Sequence, residues 1–360
     1  MKILIDGHML GENEGGNERY IKDLSLALIK SSGSSNLIKI AVSSDYFSRQ
    51  GDFSKKNLIK INYKNNFYRL AYLSKISLSY KFDILHSTYI APPYLPHTSS
   101  IITIHDISFN KYPEFYSYRE KIIFNKLLPN SIKNAKAIIV PSFFTKKELQ
   151  SVFPQYSDKI FVVYEAPNQA FFFINKKEAK PKIRSKYHIS DPFILTVNSK
   201  NPKKNINSII KSFNKINIEN PDIKLIVIGD KSNVNDKMLK NVIFFSDVSD
   251  KDLNLFYNSC EFFISLSFYE GFNLPIIEAL NTRALVIASD IPVNKELYKD
   301  SLIYSPLQNS KEISKIMNNT LHNQNKIKGE KLKKISKIIK KYSYSNSAKS
   351  LLKIYRKTVN

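Results

Sequence analysis

The sequence predicts an α/β protein built from two doubly wound parallel-sheet domains, and three observations lead there. Its 360 residues are too many for one ordinary core and suit two domains of about 150–200 residues each. Short, continuous apolar runs alternate with stretches of helical periodicity, the order of a βαβ chain. Around residue 193 the same alternation starts again.

The first half opens on "KILID" (2–6), a compact apolar run, followed by "ERYIKDLSLALIK" (18–30), where Ile21, Leu24 and Leu28 recur at helical spacing. "IKIAVSS" (38–44), "FDILHST" (82–88), "SIITIHD" (100–106) and "KAIIVPS" (136–142) are further strands of the type buried on both faces of a parallel sheet. Between the last two, "YREKIIFNKLLPNSIKN" (118–134) reads as a helix. The second half repeats the plan. "FILTVNS" (193–199), "IKLIVIGD" (223–230), "NVIFFSD" (241–247), "CEFFISLS" (260–267) and "ALVIASD" (284–290) are strands, and "NINSIIKSFNKIN" (205–217) is a helix. The lysine-rich stretch 168–192, which ends beside Pro192, is the expected domain boundary. At the carboxyl end, "EKLKKISKIIKKY" (330–342) sets Leu332, Ile335, Ile338, Ile339 and Tyr342 on one helical face, and "SAKSLLKIYRK" (347–357) is a last short helix.

Composition narrows the function. Hydrophobic residues make up 42% and charged residues 24%, as in a folded globular protein. No run approaches the roughly 18 apolar residues of a membrane span. "MKILIDGHML" turns polar too soon for a signal peptide. The single cysteine, Cys260, can form no internal disulfide and is expected to be a core thiol, so a cytoplasmic location is the default. The net charge of +24 implies an anionic partner, unless it is simply a solvated lysine-rich surface. Residues 311–360 carry fourteen Lys and Arg against two Glu, half of that net charge.

The glycines are concentrated. Of only nine, Gly7, Gly11, Gly15 and Gly16 follow the first strand and lead into a helix, where bare backbone can approach an anion or a sugar. This is not a dinucleotide fingerprint, since the G-x-G-x-x-G spacing is missing. Gly229 ends another strand, at the sheet edge where open α/β folds bind ligands.

Two carboxylates bracket a turn in "SFYEGFNLPIIEAL" (267–280). Pro275 suits the first turn of a helix, which leaves Glu270 in the turn and Glu278 on the helix. Backbone N–H groups at residues 271–274 then offer an anion site, most naturally for a diphosphate, with the glutamates accepting from hydroxyls on either side. The cations a diphosphate needs are at hand in "NSKNPKKNINSII" (198–210): Lys200, Lys203 and Lys204. His105 and Asp106 end a buried strand and can face a ligand. No G-x-S-x-G elbow supports a serine hydrolase, and no metal-ligand spacing is present.

Together these segments resemble the GT-B glycosyltransferases of glycosyltransferase family 4 (group 1). "EGFNLPIIEAL" is similar to the family's E-x7-E signature, "VNSKNPKKNI" to its basic donor loop and "TIHDISFNKYPEFY" to its histidine-aspartate stretch. "GGNERY" resembles the N-terminal glycine loop, "VPSFFTKKEL" the strand and helix before the hinge, and "YSYSNSAKSLLKIY" the closing helix. Asn198, Asn273, Arg283 and Leu285 depart from the family's usual residues.

The resemblance implies two Rossmann-like domains facing a central cleft. The N-terminal acceptor domain would span 1–175, completed by the helix 343–360, and the donor domain 185–342. The implied reaction is retaining transfer from a nucleotide-diphosphate sugar, GDP-mannose-like or a UDP- or dTDP-sugar, with no cofactor and no essential metal. Lys203 and Lys204 would hold the diphosphate, Glu278 the ribose, and Glu270 with the backbone of Phe272, Asn273 and Leu274 the donor sugar. His105 would lie near the transferred sugar, and Gly15 and Gly16 near the phosphates. His105 and Glu270 are the expected catalytic residues. A lipid-linked glycan acceptor for surface polysaccharide or O-antigen is expected, with the protein peripheral on the inner face of the cell membrane. The basic tail and the aromatic, basic stretch 55–75 would meet the anionic lipid. Two other readings compete: a polyanion- or nucleic-acid-binding protein, for which no binding motif is found, and a nucleotide-sugar epimerase of GT-B-like fold.

Overall fold

The computed structural model describes residues 1–12, 15–33, 36–49, 51–62, 66–232, 234 and 239–359. Residues 13–14 of the glycine loop and 63–65 of the aromatic, basic stretch therefore lie outside the described residues. The chain divides into two compact units, Met1–Ala166 with Ser343–Asn360, and Pro167–Tyr342.

The first unit is built on a seven-stranded sheet. Its strands are β1 (Lys2–Asp6), β2 (Leu37–Ser43), β3 (Leu58–Ile61), β4 (Ile84–Thr88), β5 (Ser99–Thr103), β6 (Ala137–Val140) and β7 (Ile160–Val162). They lie in the order β3-β2-β1-β4-β5-β6-β7, and every pair is parallel. The direction of strand succession reverses between β1 and β4, and such a switch point opens a crevice at the carboxyl ends of the strands. Alternation along β1 serves both faces of the sheet. Ile3 and Ile5 pack with Leu24 and Leu28 of the helix Gly16–Ser32 and with Leu351 and Tyr355 of the helix Tyr344–Val359. Leu4 turns to the opposite face, against Leu73 and Ile76 of the helix Asn66–Tyr80. The last helix of the chain is thus part of the first unit's core.

The second unit has a six-stranded parallel sheet of β8 (Phe193–Val197), β9 (Lys224–Ile228), β10 (Val242–Phe245), β11 (Phe263–Ser265), β12 (Val286–Ser289) and β13 (Ile303–Ser305). The order is β10-β9-β8-β11-β12-β13, with the reversal between β8 and β11. The helix Ile206–Glu219 lays Ile209, Ile210, Phe213 and Ile216 on Ile194, Leu225 and Ile264. Cys260 is buried, and burial pushes its thiol up to about 12, so it is inert core material.

Three details differ from the sequence reading. β3, β7 and β13 have no counterpart there: each is a short edge strand of three or four residues. The stretch 168–192 lies wholly in the second unit and carries a helix, Lys176–Tyr187, whose Ala179 and Ile183 are buried. The helical stretch 118–134 is interrupted by a π turn, Ile123–Leu127, between α-helical Tyr118–Ile122 and Leu128–Asn134.

Candidate active site

At the reversal of the second sheet, the strands β8 and β11 each release a loop at their carboxyl ends. After β8 the chain runs through Asn198 into the short 3-10 turn Pro202–Lys204 and then into the helix Ile206–Glu219. Asn198 is clamped to the end of β9: its N–H donates to Ile228 O at 2.8 Å and its Nδ2 to Asp230 O at 2.7 Å. Gly229, with φ = 118°, is what lets the two loops lie so close, because a Cβ there would sit 2.2 Å from the Asn198 carbonyl oxygen. The Asn201 side chain accepts from Lys203 N at 3.0 Å and closes the 3-10 turn.

The loop after β11 carries the first glutamate. Phe268 N–H donates to Lys203 O at 2.9 Å, joining the two loops through their backbones. Lys204 Nζ donates to Glu270 Oε1 at 2.7 Å, and Lys203 Nζ stands 4.0 Å from Oε2. Glu270 is buried, which pushes its pKa up, but the charges of Lys204 and Lys203 outweigh this and hold it below the ordinary carboxylate range. Two ammonium groups thus share one ionised carboxylate, and the cluster is net positive.

The chain then turns through Asn273, in the left-handed conformation with φ = 65°, into the helix Leu274–Asn281. Tyr298 OH donates to Phe272 O at 2.7 Å, and the Phe272 ring packs against Tyr298 and Tyr342. Phe272 and Leu274 are therefore core side chains, and what this turn can offer a ligand is backbone N–H. Glu278 is 1% exposed and its Oε2 accepts from Tyr257 OH at 3.3 Å.

The first unit presents a second group at its own switch point. β1 leads into the glycine loop, in which Gly15 (φ = 59°) precedes the helix beginning at Gly16. β5 leads to His105, whose Nδ1 is 2.7 Å from Glu165 Oε1. Donation to that carboxylate fixes the imidazole tautomer and aims the other nitrogen. Nε2 is buried and, among the described residues, has no hydrogen-bond partner. Tyr20, on the helix after the glycine loop, meets the imidazole edge-on at 4.6 Å. Asp106 is a turn residue: its Oδ1 accepts from Ser108 N at 2.9 Å and Ser108 Oγ at 2.5 Å. In the same unit, Asp6 at the end of β1 forms a buried ion pair with Arg69, which also reaches His8 Nδ1 at 3.0 Å. Burial raises the pKa of Asp6, but Arg69 and His8 more than reverse this and bring it down to about 2.

The structure thus joins Lys203, Lys204 and Glu270 directly, sets Phe272–Leu274 and Glu278 on the turn and helix that follow, and groups His105 with the glycine-loop helix in the other unit. Glu165 is absent from the sequence reading. Its only local mark is a carboxylate two residues beyond the buried Val163, just past the carboxyl end of β7. Among the described residues, no group of three His, Cys, Asp or Glu side chains could hold a metal ion, and no helix is long and apolar enough to cross a membrane.

Comparison with known proteins bears on the family and the fold. Residues 179–349 match the family described as Glycosyl transferases group 1, and residues 14–166 the one described as Glycosyltransferase Family 4. The O-antigen chain mannosyltransferase RfbU of Salmonella typhimurium is 28% identical over 322 residues, 84% of this chain and 86% of that protein. The solved structure of WaaG, a glycosyltransferase involved in lipopolysaccharide biosynthesis, superposes with a TM-score of 0.75 at 12% identity and covers 99% of both chains. HepE of Anabaena, solved with UDP and glucose, gives a TM-score of 0.74 at 14% identity, over 99% of this chain and 100% of its own. The two structural likenesses speak for the fold, and the two family matches take in most of both units: the chain belongs to glycosyltransferase family 4 and is a glycosyltransferase of the GT-B fold.

Proposed function

We propose that the protein transfers a sugar, mannose foremost, from a nucleoside-diphosphate sugar to a lipid-linked glycan in surface-polysaccharide synthesis, with retention of anomeric configuration. One observation carries the reading: two lysines close on the buried, ionised Glu270 at the switch point of the second sheet. The Lys204–Glu270 pair ties the two loops together, and the second lysine leaves a cluster that suits a ligand bringing negative charge. Support for mannose and for a surface glycan comes from the Salmonella relative, an O-antigen chain mannosyltransferase. Support for a diphosphate donor comes from HepE, solved with UDP and glucose.

In this reading the bond between the sugar's anomeric carbon and the diphosphate oxygen breaks. The acceptor hydroxyl oxygen bonds to that carbon on the same face, and its proton passes to the departing diphosphate. Lys203 and Lys204 offset the charge that builds on the diphosphate, the part a metal ion takes in other transferases. Glu270 accepts from donor-sugar hydroxyls, and the N–H groups of Phe272–Leu274 add to the anion site. Glu278 accepts from the ribose hydroxyls. Gly15 and Gly16 approach the phosphates, and His105 Nε2 meets the transferred sugar. No cofactor enters, and chelators would leave activity intact.

Calorimetric titration with GDP, UDP and dTDP tests the donor side. One diphosphate should bind clearly best, and Glu278→Ala should weaken it about 10-fold or more through lost hydrogen bonds. Equal, weak binding of all three, unchanged in the variant, would leave the glutamates a purely structural pair.

A further inference from the structure

Strand β4 ends at Thr88, and the next residue, Tyr89, has φ = 59°. Left-handed backbone is strained for an aromatic residue and persists only where neighbours enforce it, often at functional sites. Here they do: Tyr89 N–H donates to Thr103 O at 2.9 Å, Ile90 N–H to Thr88 O at 2.7 Å, and Asp106 N–H to Tyr89 OH at 3.2 Å. The enforced turn fixes the Tyr89 ring 6.0 Å from His105 and 5.7 Å from Phe124. Phe124 stacks on Phe109 at 4.3 Å, nearly parallel, and meets Tyr116 edge-on at 5.8 Å. Tyr116 OH in turn bonds to Ser108 Oγ. All four residues are half-buried.

The π turn explains how Phe124 comes to be there. In an unbroken α-helix it would continue the buried stripe of Leu128 and Ile132 four and eight residues on. The wider turn swings it off that stripe, a displacement often found at binding sites. The result is an aromatic wall at the carboxyl ends of β4 and β5, beginning at the buried His105 whose Nε2 lacks a partner among the described residues. Ring faces beside phenolic hydroxyls suit one class of ligand well. A pyranose has an apolar C–H face and a rim of hydroxyls.

We propose that this wall seats the acceptor's sugar, with one pyranose face on Phe124 and its hydroxyl rim toward Tyr89 and Tyr116. The assignment rests on the transferase reading above and concerns the acceptor, since the cations and glutamates assigned to the donor belong to the other unit.

Saturation-transfer NMR on the full chain, loaded with its best-binding nucleotide, tests it. The probes are methyl α-mannopyranoside, methyl β-glucopyranoside and methyl β-galactopyranoside, which carry no lipid. At least one should receive saturation through its ring C–H protons. Phe124→Leu, which keeps apolar bulk but removes the ring, should raise that glycoside's apparent Kd about fivefold or more, and Phe124→Trp should restore it. Tyr116→Phe, milder and independent of Phe124, should raise it two- to threefold by removing one hydroxyl, about 0.4–0.7 kcal/mol. Nucleotide affinity should be unchanged in all three variants, which also reports that they are folded. No transfer to any glycoside in the wild type, or equal affinity in wild type, Phe124→Leu and Tyr116→Phe, would overturn the assignment. A failed donor reading would show elsewhere, in the nucleotide titration of the wild type.

Discussion

Gly229 has little freedom, and the loop after β8 depends on it. Its φ of 118° strains any side chain, and the atom a Cβ would strike is the backbone oxygen of Asn198, which has no rotamer to move into. Gly229→Ala should therefore cost about 2–4 kcal/mol in a denaturant titration. Nucleotide affinity should fall with it, because Asn198 leads directly into the lysine turn. The sequence marks Gly229 as a strand-end glycine but not this contact, which joins residues 31 positions apart through the pairing of β8 with β9. Glu165 was hidden in the same way. It meets His105 only because β5, β6 and β7 pair in parallel register and end on one edge. By contrast, Lys204, Glu270 and Glu278 were legible, since their loop and helix positions follow from nearby strand ends and from Pro275.

A buried polar chain links elements far apart in sequence within the first unit. The last helix supplies Tyr355, whose OH is 2.5 Å from His86 Nδ1 on β4; His86 Nε2 is 2.7 Å from Thr103 Oγ1 on β5. Thr103 continues to Tyr20 OH at 3.0 Å. Burial, with the nearby charge of His105, pushes the pKa of His86 down to about 3. The folded unit therefore keeps His86 neutral, while the unfolded chain takes up its proton below about pH 6.5. Between those values acid favours unfolding, by up to about 1.4 kcal/mol per pH unit. Stability of this unit should fall as pH drops from about 6.5 towards 3. His86→Gln should be less stable at pH 8, by about 1–3 kcal/mol, yet show a flatter acid limb in denaturant titrations across that range. Central strands were plain in the sequence because both their faces are buried and the apolar run is continuous. The edge strand β3 reads "LIKI", and its lysine breaks the run where one side needs no cover.

At the scale of the whole molecule, surface character sorts by region. The helix Asn66–Tyr80 buries Leu73 and Ile76 but leaves Phe67, Tyr68, Tyr72, Leu78 and Tyr80 exposed, and Tyr94 is exposed beside it, its carbonyl accepting from Ser74 Oγ. Aromatic rings among lysines suit the interface of an anionic bilayer. Vesicles containing acidic lipid should float the protein at low salt and release it at high salt, and Tyr68→Ser with Tyr72→Ser should cut the bound fraction about fivefold. Failure to float at low salt would make the charge of +24 a solvent-facing property only. The helix Gln324–Lys341 buries Ile335 and Ile338 and exposes most of its lysines, but Lys331 turns inward and donates to Asp300 O and Leu302 O at 2.8 Å.

The helix Tyr344–Val359 also bears on timing. The first unit needs Leu351 and Tyr355 to close its core, yet they are made after the entire second unit. At about 5–20 residues per second, roughly 10 to 40 s pass on the ribosome between Ala166 and that helix. For that interval the nascent first unit exposes the apolar face the helix will cover and leaves His86 without Tyr355. The second unit, whose 167–342 are continuous in the chain, is free to finish first. Any chain released early is left with an open core, so incomplete copies are exposed to proteolysis before they can compete for donor or acceptor.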